Sequence, residues 1–281
     1  MEILVAKHSG FCEGVERAFR IALKESRAGR QLYMLGNLVH NKQVIDKFKS
    51  LGVRTIGSIY NIPAGSSGTV LISAHGVPPE IYETAKIKGL NIVDTTCAWV
   101  KKAQRLAREL AAESRTVIIL GDKGHTEVKG LVGWSQGKAV VIENIADLDR
   151  LSLQPEQKIG LISQTTQAEK TFQEIEQALK KRSSDVKAFN TVCGATTKRQ
   201  NACLDLAGKV DLMLVIGDQL SANTKRLSEL CSQTGTPTHQ IQSKAELNKA
   251  WLNNTNKIGV TAGASTPDWV IQEVVDALKV C

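Results

Sequence analysis

Short apolar runs alternate along the chain with segments whose apolar positions recur every three or four residues. The runs read as strands buried on both faces and the periodic segments as amphipathic helices, which predicts an α/β protein with parallel sheets. One module of this pattern occurs three times. Ile3-Leu4-Val5-Ala6 leads through Ser9-Gly10-Phe11 to Cys12, and helix-spaced Val15, Ala18, Phe19, Ala22 and Leu23 follow. Leu90-Asn91-Ile92-Val93 leads through Asp94-Thr95-Thr96 to Cys97, then Val100, Ala103, Leu106, Ala107 and Leu110. Val186-Lys187-Ala188-Phe189 leads through Asn190-Thr191-Val192 to Cys193, then Ala202, Leu204 and Leu206.

The repeat continues beyond the helices. A strand ending in glycine follows each one, at Leu32 to Gly36, Val117 to Gly121 and Leu212 to Gly217, about 24 residues after its cysteine. Each glycine opens a polar loop: Asn37 to Asn41, Asp122 to Glu127, and Asp218 to Asn223. A further apolar strand in each copy ends in small polar residues, at Val70 to Gly76, Ile159 to Thr166 and Ile258 to Ser265. The expected organisation is three similar α/β units, 1–95, 96–192 and 193–281, in a pseudo-threefold trefoil around a central cavity. Further helices are expected at Asn41 to Ser50, from Pro78-Pro79 through Ala85, at Asn144 to Leu151, Ala168 to Arg182, Thr224 to Thr234 and Ala245 to Leu252. The last runs from Pro267 to Leu278 with Trp269, Val270, Val274 and Leu278 inward. Val128 to Trp134 reads as helical or irregular, and Ala139 to Ile142 as a strand.

Composition narrows the class. The 281 residues carry a formal charge of +8 and only 4% aromatics. Solvated lysine-rich faces account for most of the charge; the rest suits an anionic substrate or an acidic protein partner rather than nucleic acid, for which base-stacking aromatics and zinc-finger spacings are missing. Met1 to Ala6 reads as a strand and not a secretory signal, no apolar run approaches a membrane span, and Cys281 lacks the three following residues a prenylation box needs. A cytoplasmic location is expected, no membrane partner, and no disulfides: Cys203 and Cys231 read as core or surface thiols.

Cys12, Cys97 and Cys193 share one context, the step from a strand into a helix. In parallel sheets that end of the strand is where ligands sit. Three thiolates at helix starts suit three irons of a cubane cluster, with the dipole favouring the anion. Ordinary buried cysteines, or zinc with a histidine such as His125, remain alternative readings. Three of the five histidines, His40, His75 and His125, lie in strand-end loops. With Thr165, Ser221, Asn223 and Ser265 they form a donor set suited to phosphate or diphosphate, although Ser221 and Ser265 also suit helix capping. Glu127 follows His125 by two residues and is a candidate general acid whose pKa should rise beside an anionic ligand; alone it also reads as an exposed helix-start glutamate.

These stretches together resemble the 4-hydroxy-3-methylbut-2-enyl diphosphate reductase family over essentially the full length. The matching segments are Gly10-Phe11-Cys12-Glu13-Gly14-Val15, Val39-His40-Asn41, Ser73-Ala74-His75-Gly76, Asp94-Thr95-Thr96-Cys97, Gly124-His125-Thr126-Glu127-Val128, Gln164-Thr165-Thr166, Cys193-Gly194-Ala195-Thr196 and Thr261 to Asp268. The resemblance implies a [4Fe–4S] cluster held through Cys12, Cys97 and Cys193, with the substrate hydroxyl on the fourth iron. It implies a diphosphate held by His40, His75, His125, Ser221, Asn223 and Ser265, and a proton delivered by Glu127 with Thr165. An allylic diphosphate substrate, isopentenyl and dimethylallyl diphosphate products and an external electron donor such as ferredoxin or flavodoxin go with it. The chain departs from the family pattern at Gln219, Leu220 and Ala222 in the 217–223 loop, at Ala98 after the second cysteine, and at Thr126. A paralogue acting on another substrate, or a metal- or redox-sensing protein on the same scaffold, are the alternatives.

Overall fold

The computed structural model of the protein describes residues 1–280; Cys281 lies outside the described residues. Three four-stranded parallel sheets carry the fold. The first is formed by β2 (Leu32–Leu35), β3 (Arg54–Ile56), β4 (Thr69–Ile72) and β5 (Asn91–Asp94), in the order β3-β2-β4-β5. The second is formed by β6 (Thr116–Leu120), β7 (Val140–Ile142), β8 (Ile159–Ser163) and β9 (Val186–Ala188), in the order β7-β6-β8-β9. The third takes β10 (Leu212–Ile216), β11 (Thr238–Ile241) and β12 (Lys257–Ala262), and completes itself with β1 (Glu2–Val5), in the order β11-β10-β12-β1. Strand order is the same in all three, and the strand leading to a cysteine is always the edge next to the small-polar-ended strand.

The central strands β4, β6, β8 and β10 are covered on both faces, which is why they read as unbroken apolar runs. Helix α4 (Ala98–Ala112) lays Ala103, Leu106, Ala107 and Leu110 against Val117, Ile119 and Ile162 of the second sheet. On its other face, Phe172, Ile175 and Leu179 of α7 (Glu169–Lys180) meet Ile118, Leu120 and Leu161. In the third sheet α10 (Asp268–Lys279) packs Val270, Val274 and Leu278 onto Leu212, Leu214 and Ile216. The remaining helices are α1 (Glu13–Ser26), α2 (Lys42–Ser50), α3 (Pro79–Ile87), α5 (Thr126–Trp134), α6 (Ile145–Leu148), α8 (Gly194–Ala207) and α9 (Ala222–Gln233). No helix among the described residues is long and apolar enough to cross a membrane.

Chain contacts define two compact units. One comprises Met1–Glu16, Val39–Asp46 and the chain from Gly194 onward, and contains the third sheet; the other comprises Arg17–Leu38 and Lys47–Cys193, and contains the first and second. β1 pairs with β12, so the 1–95 segment contributes its first strand to the sheet of the 193–281 segment.

Three local expectations change, and two strands appear that the sequence pattern did not predict. Ala245 to Leu252 is two short 3-10 turns, Lys244–Glu246 and Lys249–Leu252, because Asn248 caps the second turn by accepting the Ala250 N–H at 2.9 Å. Trp269 is 41% exposed rather than inward and meets Phe11 edge-on at 6.2 Å. β3 and β11 are strands that no apolar alternation announces. Cys203 and Cys231 were expected as separate thiols, but they form a disulfide: both point into the layer between α8, α9 and β10, with Cα atoms 6.5 Å apart.

Candidate active site

Each of the three site cysteines is held by the same backbone bond. The Cys97 N–H donates to the Ala74 carbonyl at 3.0 Å, the Cys193 N–H to that of Thr165 at 2.9 Å, and the Cys12 N–H to that of Ala264 at 3.2 Å. Ala74, Thr165 and Ala264 each stand two residues beyond the end of their strand. Each cysteine carbonyl then accepts an N–H four residues on, or begins the following helix directly. A threonine locks two of the three loops. Thr95 donates its hydroxyl to the Ile72 carbonyl at 2.6 Å; Thr191 donates to that of Ser163 at 2.5 Å and accepts the Ser163 N–H at 2.8 Å. An Asx turn precedes each threonine's successor: Asp94 accepts the Thr96 N–H at 2.9 Å and Asn190 the Val192 N–H at 3.0 Å. Asp94 also pairs with Lys101 at 2.8 Å; burial pushes its carboxyl up, but Lys101 and Thr96 together hold it below the ordinary carboxylate range. These threonines were not singled out from the sequence, although both stand two residues before a cysteine.

In the unit that contains the first and second sheets, β4 delivers His75, the loop after β6 delivers His125, and β8 delivers Thr165. Gly76 turns the chain after His75 with φ of 72°, a left-handed conformation that favours glycine, and a Cβ there would meet Gln104 Nε2 and the Thr96 methyl. The His75 and His125 rings meet edge-to-face, centroids 5.1 Å apart. His125 caps α5: its Nδ1 accepts the Glu127 N–H at 3.2 Å, which leaves Nε2 to carry the proton of the neutral ring. Glu127, second in α5, is 1% exposed. One carboxyl oxygen accepts the Thr165 N–H at 2.7 Å and the other the Thr165 hydroxyl at 2.9 Å. Burial pushes the Glu127 carboxyl up to about 7, Asp122 adds to the rise, and the two Thr165 bonds oppose it. The exposed-glutamate alternative therefore fails, and the rise does not need the anionic ligand invoked from sequence.

The other unit gathers His40, Ser221, Asn223 and Ser265 beside Cys12. Ser265 Oγ lies 3.1 Å from both the His40 carbonyl and Ser221 Oγ. Ser221 caps α9 by accepting the Thr224 N–H at 3.3 Å. Asn223 Oδ1 accepts the Ala264 N–H at 3.0 Å, which ties α9 to the carbonyl that holds Cys12. Its Nδ2 is buried without a hydrogen-bond partner, a donor left over for a ligand. The approach is close because Gly217 and Gly263 both abut the Thr224 side chain, where any Cβ would collide. Burial lowers the His40 pKa while Asp218 raises it. Asp218 also accepts the Leu220 N–H at 2.8 Å, and the divergent Leu220 itself is 72% exposed.

The donor set fits an iron–sulfur cluster in kind: three cysteines in one repeated setting, at helix starts. A second group, His75, His125 and Glu127, has ligand atoms within 4.8 Å of one another, close enough for a divalent cation.

Comparison with known proteins agrees with the geometry. The family model described as LytB protein matches residues 3–279. A protein of Geobacter sp. (strain M21) named 4-hydroxy-3-methylbut-2-enyl diphosphate reductase is 38% identical over 279 residues, 99% of this chain and 97% of that one. One of the same name from Caldanaerobacter subterraneus is 39% identical, with the same coverage. The E-1-hydroxy-2-methyl-but-2-enyl-4-diphosphate reductase structure from Plasmodium falciparum superposes with a TM-score of 0.93 at 31% identity, covering 99% of this chain and 88% of that one. A structure of (E)-4-hydroxy-3-methyl-but-2-enyl diphosphate reductase, the terminal enzyme of the non-mevalonate pathway, gives 0.69 at 36% identity with both chains fully covered. The three-sheet α/β architecture is the fold of these structures, and the chain belongs to the LytB family of 4-hydroxy-3-methylbut-2-enyl diphosphate reductases, which makes it an oxidoreductase.

Proposed function

We propose that the chain removes the hydroxyl of 4-hydroxy-3-methylbut-2-enyl diphosphate as water, yielding isopentenyl and dimethylallyl diphosphates, with a [4Fe–4S] cluster held by Cys12, Cys97 and Cys193. The observation that carries this reading is the Glu127–Thr165 pair: a buried carboxyl with a pKa of about 7, bonded to a hydroxyl on the same β8 turn whose carbonyl holds Cys193. When bound, the cluster supplies two electrons and a Lewis-acidic iron for the hydroxyl.

The chain's own residues do the rest. Protonated Glu127 holds the proton that the departing hydroxyl needs. Protonation at Oε2 turns the bond to Thr165 round, so that the threonine O–H becomes the group that can pass a proton on. His125 presents Nε2–H, and with His75 and His40 it binds the diphosphate. Ser221, Ser265 and the Asn223 amide add neutral donors, which tolerate the anion without drawing Glu127 into an ion pair. The balance is two electrons and two protons taken up per substrate, one C–O bond broken and one water released. The electrons come from an external carrier such as ferredoxin or flavodoxin.

The test is Glu127→Gln prepared without oxygen. Iron and sulfide content and the visible spectrum should match wild type, while turnover falls about 10²–10⁴-fold, the usual contribution of a general acid. Unchanged turnover would refute the assignment. A second reading, favoured by the close grouping of His75, His125 and Glu127, is a divalent-cation site. Colourless protein carrying one zinc per chain would establish that reading instead.

A further inference from the structure

The proposed reaction consumes two electrons per substrate, and the sequence has no G-x-G-x-x-G dinucleotide fingerprint. Helix α4 offers a place for them to enter. Cys97 is its N-cap. Lys101, Lys102, Arg105 and Arg108 lie exposed on its outer face, and the helix carries one carboxylate, Glu109, a net +3 that no other helix reaches. Lys101 is paired with Asp94 at 2.8 Å, which leaves Lys102, Arg105 and Arg108 as the cations that face outward against Glu109. At 1.5 Å rise per residue the four cations lie about 6 to 16 Å along the helix from Cys97. That spread is comparable to the Debye length of about 8 Å at physiological salt, so their fields add on an approaching anion. Trp99, two residues after Cys97, is 40% exposed, with the Lys102 ammonium 5.4 Å from its ring centre. Beside the helix lies a groove of 350 Å³ lined by Tyr82, the Asp94–Lys101 ion pair, Gln104, Arg105, Arg108 and Trp134; the Arg108 guanidinium sits over the Trp134 ring and the buried Gln104 Nε2 has no hydrogen-bond partner. Arginine and tryptophan together are the residue types that dominate binding at protein interfaces.

We propose that this face of α4 docks an acidic protein that carries one electron at a time, with Lys102, Arg105 and Arg108 meeting its carboxylates and Trp99, beside Lys102, adding an apolar contact at the rim. The inference rests on the reductase reading. Each docking oxidises the reduced carrier by one electron and reduces the cluster by one; two dockings supply the pair consumed when the C–O bond breaks.

The test uses an acidic [2Fe–2S] ferredoxin as probe and dithionite-reduced methyl viologen as a reductant that needs no docking. In Lys102→Glu/Arg105→Glu the ferredoxin Kd at 50 mM salt should rise at least about tenfold and lose its salt dependence, while viologen-driven turnover stays at the wild-type level. Trp99→Ala should raise Kd with the salt dependence kept. Lys170→Glu/Lys181→Glu, at the start of α7 and at its C-cap, should change neither. Wild-type affinity and salt dependence in the α4 double variant, or equal loss in the α7 control, would overturn the docking face. A wild-type protein inert with methyl viologen would instead sink the reductase reading, and the ferredoxin Kd of the variants would still decide the docking face.

Discussion

Glu127 is held between two opposed influences, and both can be moved. Burial and Asp122 favour its neutral form, while the two Thr165 bonds favour the carboxylate. Thr165→Val keeps the N–H bond and removes the hydroxyl one, so the Glu127 pKa should climb and the alkaline limb of the turnover profile shift upward from about 7. A limb that stays in place would show that another group sets it. Stability follows the same proton. The folded pKa lies above the unfolded value, so between 4.5 and about 7 the folded state keeps a proton that the unfolded chain releases. This contribution is fully present below 4.5 and is lost as pH rises through about 7. The total is on the order of 3 kcal/mol. In Glu127→Gln this slope should vanish from guanidinium unfolding at pH 5 and pH 8. The sequence shows Glu127 as a neighbour of His125, but not its burial, which depends on Thr165, 38 residues away at the end of another strand.

At the scale of the element, the step from strand to helix is what the protein repeats. The Cys97 and Cys193 loops differ in one respect that can be measured. Thr95 makes one bond to its strand end, whereas Thr191 both donates to and accepts from Ser163. Thr191→Val should therefore cost more stability than Thr95→Val, the latter about 1–3 kcal/mol from the carbonyl left without its donor. Equal losses would mean that the second bond contributes nothing. Gly263→Ala forces a methyl into Thr224 and should destabilise by about 1–3 kcal/mol while weakening inorganic diphosphate binding through the displaced Asn223. The helices and central strands could be read because each carries a long apolar run or stripe. β3 and β11 could not: Arg54-Thr55-Ile56 and Thr238-His239-Gln240-Ile241 are short, polar edge strands fixed by pairing alone. Their counterpart β7 was legible only because it reads Val140-Val141-Ile142.

Across the whole molecule the repeat is the strongest signal in the sequence, and it brought out Cys12, Cys97 and Cys193 together. If all three hold the cluster, Cys12→Ser, Cys97→Ser and Cys193→Ser should each lower iron per chain, while Cys203→Ser should leave it unchanged. Loss in only one of the three would point to unequal roles behind equal hydrogen bonds. The repeat did not reveal the Cys203–Cys231 bond, since two cysteines on successive helices carry no mark of facing each other. Nor did it show that β1 leaves its own third of the chain. That choice is made by β12, whose free edge has the register β1 matches from Glu2 with Lys257 to Val5 with Val260.

The pairing of β1 with β12 sets an order in time. On the ribosome Glu2 is made 255 residues before Lys257, the residue it will lie beside. The first and second sheets draw every strand from Leu32 to Ala188, so both can be complete while β1 still waits without an edge to join. Contacts of such long sequence separation form late and slowly. Cys12 is therefore the first of the three repeated cysteines to be synthesised and the last to reach its place, and a nascent chain would offer the proposed cluster two finished loops before the third has formed.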